Sequence, residues 1–466
     1  MKKMLIGAVI GAAAAGIGLY AYQHSKQESG AARVETSESG LAAAKRKSTD
    51  GGASLRGVSM KGAVLTVKNG ESIQAAVSKA KPGDTVQIMP GIYKETVYID
   101  KDNVAIVGVI QDGEWPVMDG ERKLNDAILY SGSGIRIENM KIVNYKGNGI
   151  MGQAGNNFII RHNWIVDTGV YGIFPEFGKN GLIEYNVVSG IEDAAIYVGM
   201  CDNIQVSNNE VYASVAGIEI ENSRHAIVED NMVYDNAGGI LTFITPGLPI
   251  KTTFDVIIRD NFIVGNNHKN FGAPGSIVSG VPSGTGIIVM AADDVQIENN
   301  IIRDNKNAGI IVADHKSFAN INLDPEADPS PDRVSVYKNF FANNGYLPID
   351  DIKALMALNL TKKGPDLIAI GDGAGSCISN KAAVKTLNIG SWTDCTKTTS
   401  MDVASYLLDK PVPARIEGKD EIAEAGKRLY SGVCAGCPAH NVRMLGPPTQ
   451  IIQVMYADNP QGIADY

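Results

Sequence analysis

The sequence predicts an all-β fold, a right-handed parallel β-helix, in which each coil of 22 to 23 residues carries three short strands. Three observations predict it. A unit opening on a small residue followed by Ile recurs at Gly149, Gly172, Ala195, Gly217, Gly239, Gly286 and Gly309, with steps of 23, 23, 22, 22, 47 and 23 residues. Each unit also carries an asparagine at a matching place: Asn163, Asn186, Asn209, Asn231, Asn261, Asn300 and Asn339. Between these landmarks apolar and polar residues alternate with period two, as in Ile204-Gln205-Val206 and Val295-Gln296-Ile297, and Gly or Asn ends every run too early for a helix. The 51 glycines fit a backbone that turns often.

If coils stack at one strand spacing, about 4.8 Å, like residues fall above like. Ile150, Ile173, Ile196, Ile218, Ile240, Ile287 and Ile310 then form an inward aliphatic column. The asparagines belong at a turn, since Asn tolerates left-handed backbone and its amide can bond to main chain or to the next Asn. An open coil edge invites foreign strands, so the solenoid start needs a cover. Ser72 to Ala80 reads as a short amphipathic helix, followed by Pro82-Gly83-Asp84-Thr85 and Pro90-Gly91-Ile92-Tyr93. This stretch resembles the N-terminal cap of pectin-lyase-like β-helix proteins. Two departures from the period are where a site is commonly built. One is the 47-residue step after Gly239, with extra loops Thr245 to Pro249 and Asn266 to Phe271; the other is the Pro- and Asp-rich excursion from Asp314 to Asp332.

The rest of the chain divides around this body. Residues 1–25 read as a signal peptide or signal anchor, because Lys2 and Lys3 precede an apolar stretch from Met4 to Tyr22. Residues 26–60 read as a flexible tether, 61–345 as the β-helix, 346–415 as a C-terminal cap and linker, and 416–466 as a separate segment. Export to the periplasm or cell envelope follows, with an inner-membrane anchor through 4–22 as one form of it. A formal charge of −9 and the lack of a basic face argue against a nucleic-acid partner. In an oxidising compartment Cys377 and Cys395 are expected to pair, stabilising by roughly 3 kcal/mol, whereas Cys201 lies in a strand pattern and reads as a small buried apolar residue.

Alternation puts the residues one and three after each column Ile outward. The first row is Met151, Phe174, Tyr197, Glu219, Leu241, Ile288 and Ile311; the second is Gln153, Glu176, Gly199, Glu221, Phe243, Met290 and Ala313. A solvated face would carry Lys, Glu, Thr and Ser. This one carries aromatic and aliphatic residues around three glutamates, so it is either covered or a ligand groove. In the groove reading Glu176, Glu219 and Glu221, with Asp193 before the intervening strand, are candidate catalytic carboxylates. Phe174, Tyr197, Phe243, Arg224 and His225 are candidate substrate-binding residues. Carboxylates beside aromatic platforms suit glycosidic hydrolysis or, with a base, uronic-acid elimination. In the plainer reading Glu219 and Glu221 are ordinary strand residues. The lone histidines His225, His268 and His315 have no metal-ligand spacing, and Asp324 and Asp328 form no recognisable Ca²⁺ loop.

The stretches Val170-Tyr171-Gly172-Ile173-Phe174-Pro175, Asp193-Ala194-Ala195-Ile196-Tyr197-Val198-Gly199 and Val215-Ala216-Gly217-Ile218-Glu219-Ile220-Glu221 resemble a family of exported bacterial parallel β-helix repeat proteins. The resemblance covers residues 64–345 and implies fold and export; the family is distantly similar to polysaccharide lyases, hydrolases and epimerases. The Asp-Pro-His-Asp motif of the mannuronan epimerases is absent. After Pro411-Val412-Pro413, the run Glu424 to Asn441, with Cys434-Ala435-Gly436-Cys437-Pro438-Ala439-His440, resembles the first helix and haem-attachment site of a class I cytochrome c. The likeness implies haem c on Cys434 and Cys437. Pro438 stands where the ligating histidine belongs and has no ligand atom, so iron would fall to His440; a degenerate module with Cys434 and Cys437 disulfide-bonded is the other reading. Two functions follow: a β-helix that binds and processes a polysaccharide, or a non-enzymatic scaffold for an envelope protein partner linked to a redox system by its tail.

Overall fold

A computed structural model describes residues 60–317, 321 and 323–413. The apolar segment 4–22, nearly all of the tether, and Cys434, Cys437 and His440 lie outside the described residues.

The described chain winds into three parallel sheets of 12, 11 and 10 strands, here sheets A, C and B. One coil shows the plan: Ala194–Gly199 lies in sheet C, Asp202–Ser207 in sheet A and Glu210–Tyr212 in sheet B. Every step between coils is in register, so Ile150, Ile173, Ile196, Ile218, Ile240, Ile287 and Ile310 pair in sequence along sheet C. All seven are fully buried. Each contributes on the order of 2 kcal/mol from burial.

The asparagine column forms a continuous ladder at the corner between sheets A and B. From Asn163 to Asn339 each side-chain Nδ2 donates to the Oδ1 of the next asparagine at 2.9–3.0 Å. That same Oδ1 also accepts from the preceding asparagine's backbone N–H. The left-handed residue at this corner is the one before each ladder asparagine: His162, Tyr185, Asn208, Asp230, Asp260, Asn299 and Lys338, with φ between 53° and 57°. Amide pairing, and not left-handed backbone, is thus why asparagine sits at the ladder position. A second ladder at the corner between sheets B and C, absent from the sequence reading, joins Asn236, Asn266, Asn305, Asn344 and Asp366.

The solenoid runs past residue 345, where the sequence pattern fades. Leu367–Ile370 adds to sheet C, Cys377–Ile378 to sheet A, and Thr386–Leu387 ends sheet C. These strands are short and lack the Gly-Ile opening, so the repeat does not announce them. Cys377 and Cys395 are bonded, and Cys201 is free and fully buried, with burial raising its thiol. Helix Ile73–Lys79, with Ile73 and Val77 in the core, lies on the open edge of Val97–Ile99, where the Gln74 side chain bonds to both the N–H and the C=O of Tyr98. No described helix is long and apolar enough to cross a membrane.

Neither departure from the period breaks the sheets. The coil begun by Gly238–Phe243 is completed by Phe254–Arg259 and Phe262–Val264, leaving loops 244–253 and 265–284 at the two ends of sheet C's outer face. The Asp314 to Asp332 excursion rises from the same corner as loop 244–253 and is tied to it: Gly247 N–H and Lys251 Nζ both donate to Asp324, at 2.9 and 2.6 Å. Lys251, then backbone N–H groups, hold the Asp324 carboxyl at about 2, so this aspartate has a protein partner. The last described residues run back along the outside of sheet A, with Ser400 on Glu298, Tyr406 on Asn203, Leu408 on Asn180 and Val412 on Asn157.

Replacing Asn209 by Ala removes a ladder link: the buried Asn186 backbone N–H loses its acceptor, Asn186 Nδ2 loses one of two, and Asn231 Oδ1 keeps only the backbone N–H of residue 209. Asn209→Ala should lose about 2–3 kcal/mol of unfolding free energy in urea titration, while the exposed Met232→Ala should stay within about 0.5 kcal/mol.

Candidate functional site

The two outward rows of sheet C are covered, contrary to the solvent-facing position that alternation alone suggests. Phe174, Glu176, Tyr197, Glu219, Glu221 and Phe243 are each 3–7% exposed. Val278 and Val281 of loop 265–284 pack into the same apolar cluster as Leu241 and Phe243, with Ile288 and Met290 beside them. Thr245 of loop 244–253 donates its hydroxyl to Glu221. Both loops of the 47-residue step therefore border this face, one on each side. Leu129, Tyr171 and Asp193 are only partly buried and form the rim open to solvent.

Register sets the acids. Glu219 and Glu221 project from one strand, Ala216–Glu221, with Ile220 between them pointing into the core. Gln153, Glu176, Gly199, Glu221 and Phe243 follow one another along a single column. Glu176 and Glu221 are thus two rungs apart, about 10 Å between backbones. The rung between them is Gly199, and a Cβ there would meet the Tyr197 ring at 2.3 Å. The missing side chain lets the phenol lie across the column and donate its hydroxyl to Glu221 Oε2. Gln153 Nε2 donates to Glu176 Oε2 at 2.6 Å. Tyr171, Phe174 and Tyr197 pack as a triad with centroids 4.5–4.7 Å apart.

Four carboxyl groups in a covered apolar setting cannot all ionise cheaply. Burial, with the charge of Glu221, pushes Glu176 up to about 7 against the opposing bond from Gln153. Burial and Glu221 push Asp193 up to about 7. Glu219, fully enclosed, is pushed well above the usual carboxylate range by burial and then by the charges of Asp193 and Glu221. Glu221 is raised less, because Thr245 and Tyr197 donate to its charged form. Tyr171 is raised by burial and then by the charges of Asp193, Glu221, Glu219 and Glu176. The outcome is a proton donor and an oriented acceptor two residues apart on one strand, the separation of roles that acid–base chemistry uses.

Of the residues singled out from sequence, Glu176, Asp193, Glu219, Glu221, Phe174, Tyr197 and Phe243 come together here. Arg224 and His225 do not. Asn222, at φ 45°, turns the chain out of sheet C. Both side chains then pair with Asp202 on sheet A, His225 Nδ1 at 2.7 Å and Arg224 at 3.5 Å, and Tyr406 packs edge-on to the His225 ring. Gln153, Tyr171 and Thr245 were not picked out. Gln153 heads the Glu176 column, so alternation could have found it; Tyr171, two residues before Ile173, has the parity of the inward column and Thr245 is a loop residue, so alternation signals neither.

Residues 122–247, which include all four acids, match the family described as a right handed beta helix region. The fold is that of a right-handed parallel β-helix. Among solved structures it is similar to the mannuronan C-5 epimerase AlgE4 A-module of Azotobacter vinelandii, at 16% identity over 74% of this chain and 93% of that one, with a TM-score of 0.45. It is also similar to DFA-IIIase of Arthrobacter chlorophenolicus A6 in complex with DFA-III, at 13% identity over 69% of this chain and 94% of that one, with a TM-score of 0.43. No curated protein sequence matches the chain.

The folded Glu176 carboxyl keeps its proton up to about 7, whereas an unfolded glutamate releases it near 4.5. Across that window the folded state binds more protons, so stability falls as pH rises through it, by about 3 kcal/mol for Glu176 alone. Urea midpoints should show Glu176→Gln equal to wild type at pH 4 and more stable at pH 8.

Proposed function

We propose that this chain binds and processes a polysaccharide by general acid–base chemistry on the outer face of sheet C. The observation that carries the proposal is the pair on one strand: Glu219, enclosed and pushed upward by burial, and Glu221, which accepts the Tyr197 hydroxyl. In this reading Glu219 protonates the leaving glycosidic oxygen. Glu221 takes a proton from the water whose oxygen bonds to the anomeric carbon as the glycosidic bond breaks, so the bond lost to the leaving oxygen is replaced by one to water. The Tyr171–Phe174–Tyr197 triad supplies apolar faces for a sugar ring, and loops 244–253 and 265–284 border the site on its two sides.

The chain is, in the same proposal, exported to the cell envelope, through a signal peptide or an anchor at 4–22. Cys434 and Cys437 would carry haem c with His440 as iron ligand. Protein made with a cytochrome c maturation system should then give a pyridine haemochrome α-band; without it, the segment is a degenerate module.

A second reading, partner docking without chemistry, is favoured by one observation. Met232, Phe262, Ile301 and Phe340 stand on successive rungs of sheet B, each 38–58% exposed, and Phe262 and Ile301 line a cavity of about 450 Å³ with Asp230, Asp260 and Asn299. Such a row marks an interaction surface.

Glycan depolymerisation assays separate the two. Glu219→Gln and Glu221→Gln should each lower turnover by roughly 10²–10⁴-fold with the fold intact by circular dichroism. A wild-type protein that turns over neither neutral nor uronic nor amino glycans would refute the enzymatic reading.

A further inference from the structure

Around the acidic cluster the supply of hydrogen-bond donors falls short of the acceptors. The outward positions of sheet C from Met151 to Ala313 contain no Lys, Arg or His. The donors that do reach the acids are already committed: Tyr197 and Thr245 to Glu221, and Gln153 Nε2 to Glu176. Gln153 adds an independent observation. It is 1% exposed, and its Oε1 is buried without any hydrogen-bond partner. A buried amide oxygen left open at the head of the Glu176 column is an acceptor waiting for a donor from outside the chain.

We infer that the site takes a sugar bearing a protonated amine, so that the glycan of the proposed function is an amino sugar polymer of the glucosamine type. The inference rests on the polysaccharide reading above. An ammonium brings three donors and no acceptor, which matches the open Gln153 Oε1 and the Glu176 carboxyl beside it. A sugar hydroxyl brings one donor along with further acceptors. A uronate would set another negative charge among four acids that already disfavour one another's ionisation. A metal ion is the compact alternative, but among the described residues no three acid, His or Cys groups converge closely enough to hold one. The remaining cation is one larger than a metal ion, and the faces of Tyr171, Phe174 and Tyr197 beside the acids suit an ammonium. Asp193 and Tyr171 stand at the solvent-open rim, so an entering cation meets a carboxyl and an aromatic face first.

The experiment is isothermal titration calorimetry of the full chain with three oligosaccharides of equal length: deacetylated glucosamine, N-acetylglucosamine and galacturonate. Titrations run near pH 6 in two buffers of different ionisation enthalpy. The glucosamine oligomer should bind at least tenfold more tightly than the acetylated one, and the galacturonate oligomer least. Glucosamine binding should also release protons, because pairing with a cation drives the raised carboxyls to ionise, and Glu176→Gln should reduce both the affinity and the released protons. Equal affinity for the acetylated and deacetylated oligomers, or a preference for galacturonate, overturns the amine inference and leaves the polysaccharide reading standing. Amine binding without turnover of any glycan supports the amine site and removes the enzymatic reading. If no oligosaccharide binds, both fall.

Discussion

Every feature of this molecule depends on one constraint: successive coils stack in register at a single strand spacing. Once Ile150 sits over Ile173, and Ile173 over Ile196, every other position on those strands is fixed to a column as well. The inward columns are uniform and self-supporting. The asparagine ladders then satisfy corner amides that the solenoid would otherwise bury without partners. The same arithmetic acts on the outer face, where no such uniformity is needed. There it brings Glu176, Glu219 and Glu221 together from two coils, with Gln153 and Tyr197 as their donors.

Burying four acids without a cation works against folding. The cost is lessened because burial pushes Glu219, Glu176 and Asp193 upward, and a neutral carboxyl is far less costly to cover than a charged one. Gly199 shows how closely the cluster is fitted. A methyl group there would displace the Tyr197 ring, and with it the bond that sets Glu221 apart from Glu219. The loops that interrupt the period supply the covering apolar residues and the Thr245 donor, so the irregular parts of the sequence and the chemically distinctive part of the fold coincide.

How far this was legible in the sequence depended on whether a feature repeats. The Ile column and the first asparagine ladder recur in every coil, so spacing alone exposed them, and alternation placed the three glutamates on one face. The burial of that face was not legible, because it depends on Val278 and Val281 folding back from a loop without a period. Arg224 and His225 lie within four residues of Glu221 yet belong to another sheet, since one left-handed residue at Asn222 redirects the chain. The final coil escaped notice because strands as short as Cys377–Ile378 and Thr386–Leu387 carry too few residues to show alternation.

The central claim is that sheet C holds a neutral carboxylic acid, Glu219, beside an oriented acceptor at physiological pH. Infrared difference spectroscopy between wild type and Glu219→Gln at neutral pH tests it most directly. A protonated, buried carboxyl gives a carbonyl band well separated from ionised carboxylates. The account predicts that band in the wild type and its loss in Glu219→Gln. A wild-type spectrum with only ionised carboxylate at neutral pH would contradict it.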